Sequence, residues 1–229
     1  MAEAAAGQGQ ERYMLTNIAL ISLGALLSSL AVSSISITLP LIAGDLHTST
    51  GLVSAAVIVY LLVLSGLFLF FGRLGDVWGY RRVFLAGMVV FTTGSLLCAL
   101  STSLNQLILF RAIQAVGAAM VAAVGPAFIM RHIPPSRHGQ ALAYVSGAAV
   151  LGVILGPTVG LLLTDILSWQ WVFLFNVPPG ILILATGIVT LPKKADLLDG
   201  ARFDLTGATL FSCASITLVI AISSVHVFV

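Results

Sequence analysis

The chain of 229 residues is 59% hydrophobic and 8% charged, with a net charge of +2 and a mean hydropathy of +1.12. Soluble domains carry about 25% charged residues, so this composition excludes one, and the small net charge, with no basic stripe among aromatics, excludes nucleic acid as a partner. Cys98, Cys213 and the scattered His47, His132, His138 and His226 offer no disulfide framework, metal site or cofactor, and no nucleophile, base and orienting group recur together as in an enzyme.

Residues 1–13 form a short polar tail, expected to be disordered. Apolar runs then cover about 16–39 (ending at Pro40), 51–71, 83–100, 107–130, 141–163, 171–191 and 205–229. Each is close to the ~20 residues that cross a hydrocarbon core as a helix, which predicts an all-α polytopic membrane protein. The first run is too long for the apolar core of a secretory signal and lacks a clear cleavage site. The expected division is a tail at 1–13, a six-helix bundle at 14–192, a cytoplasmic linker at 193–204 and a seventh span at 205–229.

Alternating the loops places Arg12, Arg73, Arg81, Arg82, Arg131, Arg137, Lys193, Lys194 and Arg202 on one side, while the other side holds only Asp45, His47 and Asp165. This bias predicts a cytoplasmic N-terminus and a multi-pass protein in the lipid bilayer of the cell membrane. Trp169 and Trp171, at the start of the sixth run, suit interfacial anchors.

Between the second and third runs lies a short polar stretch, Gly72-Arg73-Leu74-Gly75-Asp76-Val77-Trp78-Gly79-Tyr80-Arg81-Arg82. It reads as a tight turn at the membrane surface, where Gly72, Gly75 and Gly79 permit close approach and positive φ. Asp76 lies within reach of Arg73, Arg81 and Arg82, and such a cluster can pair internally or clamp a neighbouring helix end. A basic loop that only fixes topology is the plainer reading. The order Gly-x-Leu-x-Asp-x-x-Gly-x-Arg-Arg, with Gly72, Leu74, Asp76, Gly79, Arg81 and Arg82 in place, resembles the signature loop of the major facilitator superfamily, whose members are membrane transporters.

Arg111 stands about one turn inside the fourth run. A charge at a helix centre costs about 2.5–3.5 kcal/mol on insertion scales, so it either snorkels outward or faces a cavity. Gln114 shares its face and extends a polar stripe inward, which favours the cavity. The stretch from Arg111 through Gln114 to Gly117 resembles the fourth-span motif of proton-coupled facilitators, in which the arginine is implicated in proton movement; Ala115 stands where that motif usually has glycine.

In the fifth run Gly152, Gly156 and Gly160 recur every four residues and line one helix face, with Pro157 interrupting its hydrogen bonding. Gly-x-x-x-Gly-Pro-x-x-Gly resembles the antiporter motif of drug exporters in the superfamily, although Leu161 and Ala143 replace expected glycines. Residues 168–178, with Gln170 for a usual arginine, and Ile37-Thr38-Leu39-Pro40 with Asp45 and Leu46 are similar to segments of fourteen-span drug:proton antiporters. That subgroup's first-span aspartate is Ala31 here, and its later asparagine is Ser36. Glu3, Glu11, Asp45, Asp76, Asp165, Asp196, Asp199 and Asp204 all read as loop or span-end residues, so no carboxylate is expected inside the membrane.

The resemblance covers the first half of such a transporter. It implies a multidrug-efflux-like facilitator that exports small lipophilic compounds, with Ser33, Ser36, Arg111 and Gln114 towards a cavity and proton antiport as the family's coupling. Alternating access needs a second bundle, supplied by a C-terminal half, a second copy or a separate subunit. A non-transporting or regulatory half-transporter is the alternative.

Overall fold

The computed structural model describes residues 2–192 and the isolated helical positions Gly207, Leu210, Ala214 and Thr217. The expected linker at 193–204 lies outside the described residues, as does the seventh span apart from those positions. The elements are α1 (Ala2–Asp45), α2 (Thr50–Trp78), α3 (Tyr80–Ala99), α4 (Leu104–His132), a 3-10 turn at Pro135–Arg137, α5 (His138–Ile166), α6 (Gln170–Leu174) and α7 (Val177–Thr190). Among the described residues, six segments are long and apolar enough to cross a membrane, the sixth combining α6 and α7.

The helices outrun their apolar segments, which corrects three expectations. The polar tail at 2–13 continues α1 as helix, because its Ala, Glu, Gln and Arg residues are good helix formers. Pro40 lies within α1 instead of ending it; proline removes one backbone bond, and a span with no water nearby keeps the rest. The polar stretch 72–82 is no loop either, since α2 runs to Trp78 and α3 begins at Tyr80. Short polar connections close the other ends. Ser49 caps α2 by accepting from the Leu52 N–H at 3.3 Å. Ser103 caps α4 by accepting from Gln106 N–H at 3.4 Å, while Gln106 reaches back to accept from Thr102 N–H at 3.0 Å.

The most extensive contacts pair α1 with α5 and α3 with α4, followed by α2 with α4. The α1–α5 and α4–α2 pairs exchange when the first three spans are matched to the last three, as an inverted repeat requires. One apolar cluster joins Ile21, Tyr60, Phe84, Phe91, Val121 and Phe128. A second, towards the Asp45 end, gathers Ile35, Ile42, Val53, Leu107, Trp169 and Phe173. Cys98 is a free, buried member of the second cluster. Lipid is as apolar as leucine, so close backbone packing must hold such helices together. Gly117 supplies it for α3–α4, where an added Cβ would overlap the Phe91 backbone.

Candidate transport machinery

At the α2–α3 corner the chain reverses on one residue, Gly79, with φ 90° and ψ 132°. A side chain is strained at that φ, which is what requires glycine there. Gly75 is needed for space instead: an added Cβ would come within 2.8 Å of the Tyr80 ring. Gly72 meets nothing within 4 Å, so neither role applies to it. Leu74 packs at the edge of the main apolar cluster.

Because the stretch is helical, its charges pair at helical spacing. Asp76 accepts from the Tyr80 hydroxyl at 2.5 Å and lies 3.5 Å from Arg73. Among the described residues no ion pair joins Asp76 to Arg81 or Arg82, contrary to the loop reading. Arg81 donates to the Ile188 carbonyl at 2.8 Å, one of the last carbonyls of α7, so it fastens the end of the sixth span. Arg82 is exposed.

Arg111 is fully buried, which excludes the snorkelling position. Its Nη1 donates to the Ala31 carbonyl at 3.2 Å and to Gln114 Oε1 at 2.8 Å. Gln114 Nε2 donates to Ser95 Oγ at 2.6 Å, and Ser95 donates to the Phe91 carbonyl at 2.8 Å. The guanidinium carbon lies 4.1 Å from the Tyr60 ring centre and 5.7 Å from that of Phe173, cation–π contacts worth about 2 kcal/mol when desolvated. Arg111 is therefore enclosed by α1, α2, α4 and α6, a correction to the cavity-facing placement, and Gln114 is buried with it.

The glycine face of α5 lies on α1. An added Cβ at Gly152 would overlap the Leu26 carbonyl, at Gly156 the Ser33 hydroxyl, and at Gly160 the Ser34 carbonyl. Ser33 donates to the Gly152 carbonyl at 3.2 Å, so it bridges α1 and α5 and does not point into a cavity. Ser36 is exposed, and Pro157 is half-buried beside the stripe. Trp169 is no interfacial anchor: it is buried and donates to Asp45 Oδ2 at 2.7 Å, tying the start of α6 to the end of α1. Trp171 is 42% exposed.

Four participants went unnoticed in the sequence. Tyr80 was findable from its i,i+4 spacing to Asp76, once the stretch is read as helix. Tyr60, Ser95 and Phe173 carry no local signal, because their roles depend on which helices meet around Arg111.

A six-span bundle with a charged helix corner, a buried arginine network and a glycine-packed pair of helices defines a polytopic membrane protein. The chain belongs to the Major Facilitator Superfamily, whose sequence profile matches residues 21–227. It is 34% identical over 203 residues to MdtD of Escherichia coli O6:H1, a protein named for multidrug resistance, covering 89% of this chain and 43% of that protein. It is also 34% identical over 200 residues to riboflavin transporter RibZ of Clostridioides difficile, covering 87% and 44% respectively. The chain thus spans less than half the length of these relatives. In fold it is similar to the inward-open xylose transporter XylE of E. coli, with a TM-score of 0.69 at 15% identity over 91% of this chain and 55% of that one. A D-xylose–proton symporter gives a TM-score of 0.66 at 17% identity, covering 79% and 48%.

Proposed function

We propose that this bundle is one half of a secondary-active exporter of small lipophilic compounds in the cell membrane, with its basic loops and N-terminus cytoplasmic. The observation that carries the reading is the 34% identity, over 89% of the chain, to a relative named for multidrug resistance. In this reading the α2–α3 corner and the α1–α5 glycine interface control conformation. Corner charges at helix ends favour one arrangement of the bundle, and glycine stripes let packed helices slide at short separation. Proton antiport is the coupling suggested by the fourth-span motif. Ala31 removes the first-span carboxylate that usually accompanies it, so a proton carrier would have to come from elsewhere.

A second bundle completes alternating access. It is a C-terminal half, another copy of this chain or a separate subunit. Liposomes containing residues 1–229, with the oligomeric state measured, test this with a panel of lipophilic drugs and riboflavin. Saturable transport by a dimer, or after a second bundle is added, supports the reading. Saturable transport by a confirmed monomer overturns the need for a second bundle, and inactivity in every assembly favours a regulatory half-transporter. Collapse of a pH gradient without effect on transport removes proton coupling. Single cysteines near Arg81 and Arg137 should label from the cytoplasm and one at Asp165 from outside; the reverse pattern overturns the orientation.

A further inference from the structure

Arg111 has five N–H bonds, and the described residues satisfy those of one nitrogen. Nη1 has two acceptors, the Ala31 carbonyl and Gln114 Oε1. Among the described residues, Nε and Nη2 are buried without a hydrogen-bond partner. These two nitrogens are not arbitrary survivors. Their N–H bonds run parallel along one edge of the planar guanidinium, the edge that receives a carboxylate in a two-bond fork. Every neighbour so far named is neutral: Tyr60, Gln114, Ser95 and Phe173. The carboxylates of Glu11, Asp45, Asp76 and Asp165 sit at the ends of the spans. A buried cation with its fork unused is costly, and an anion placed on that edge lowers the cost.

The surroundings also provide an approach. Phe173, which covers Arg111, is carried by the five-residue helix α6, and two non-helical residues, Phe175 and Asn176, separate α6 from α7. Trp169 packs edge-on against Phe173 with ring centres 6.1 Å apart and is tied to Asp45. Trp169 also lines an open surface groove with Pro40, Asp45, Thr164, Ser168 and Gln170. A ligand that reaches Arg111 from this groove must displace Phe173, and with it the Trp169–Asp45 bond.

From this geometry we propose that the Nε–Nη2 edge of Arg111 binds the carboxylate of the transported compound, reached past α6. The substrate class is then lipophilic monocarboxylates and not lipophilic cations. This deepens the transport reading and rests on it, but equilibrium binding tests it separately.

The purified chain in detergent is titrated with benzoate, benzylamine, benzyl alcohol and sodium chloride at equal concentrations, following thermal unfolding and tryptophan fluorescence. Benzoate should raise the unfolding temperature saturably and change the emission, while the other three should not. Arg111→Lys keeps the charge and loses the fork, and should weaken benzoate binding by about tenfold or more. Ala31→Asp puts a carboxylate on the residue that already holds Nη1, and should fold yet lose the benzoate response, which keeps the test open if Arg111 variants fail to fold. No response of the native chain to benzoate, or an unchanged response in both variants, would overturn the proposal. So would a full response to chloride, which would make this an inorganic-anion site. Failure of transport with the benzoate response intact removes the transport reading alone. Loss of the response with transport intact removes the carboxylate site alone.

Discussion

Asp76 and Arg111 are both charged residues of a membrane bundle, and their surroundings are opposite. At the α2–α3 corner Asp76 has a phenol and an arginine as partners, and the nearby Arg81 holds the end of the sixth span. In the buried interior Arg111 has a carbonyl, an amide and two rings, but among the described residues no opposite charge. A charge at a helix end, near water, can fasten one helix to another at little cost. The same charge in the interior must be met fully, and where the fold leaves it partly unmet the deficit points to function. On the proposed reading the corner is a fastening, and Arg111 a contact for cargo.

The strongest way to break this contrast is Arg111→Ala in a transport-competent assembly. Transport should fall by about 100-fold or more, as expected when a functional buried charge is lost, while membrane insertion improves. Equal transport and insertion in native and variant protein would reduce Arg111 to a packing residue. Asp76→Asn comes next. It keeps size and hydrogen bonding but weakens the bond from Tyr80 and the pairing with Arg73, so transport should drop about tenfold with insertion preserved and benzoate binding retained. Tyr80→Phe should cost less, about 1 kcal/mol, because it deletes a single hydroxyl donor; a Tyr80→Phe defect larger than that of Asp76→Asn would mean the fastening runs through the ring.

The glycines sharpen the comparison further, since the superfamily motifs contain several and the structure gives them unequal work. Gly156→Ala should destabilise the bundle by about 1–3 kcal/mol through overlap with Ser33. Ser33→Ala in the same protein should recover part of the loss, because the hydroxyl is the first obstacle. Gly72→Ala, with nothing within 4 Å, should be neutral or slightly stabilising, by up to about 1 kcal/mol in a helix. Thermal unfolding in detergent checks all three, and equal losses at Gly72 and Gly156 would contradict the packing assigned to α5.

The fold was largely legible because runs of apolar residues near bilayer length leave few alternatives. Helix ends were not. Gly72 to Trp78 is polar and glycine-rich, which reads as a turn, yet α2 continues through it and a single glycine makes the reversal. The α5 glycine stripe was legible as a packing face, whereas its partner was not; α1 receives it through Leu26, Ser33 and Ser34, which carry no complementary signal. The cavity placement of Ser33 rests on the family resemblance, and that of Arg111 on the polar face it shares with Gln114 as well as on the resemblance. Polarity shows that a side chain needs a partner, but only the arrangement of helices shows that Ser33 finds one on α5 and Arg111 finds part of one among rings. Trp169 was misplaced for a similar reason, because an indole near a span end suits an interface equally well until Asp45 is seen beside it.

The most direct measurement is benzoate affinity in the native chain, Asp76→Asn and Arg111→Lys, followed by tryptophan fluorescence under one buffer condition. The account predicts unchanged affinity in Asp76→Asn, because that carboxylate only fastens helices. It predicts an affinity lower by about tenfold or more in Arg111→Lys, because an ammonium cannot reproduce the two-bond fork. Equal affinity in all three proteins, or a loss in Asp76→Asn as large as in Arg111→Lys, would contradict it.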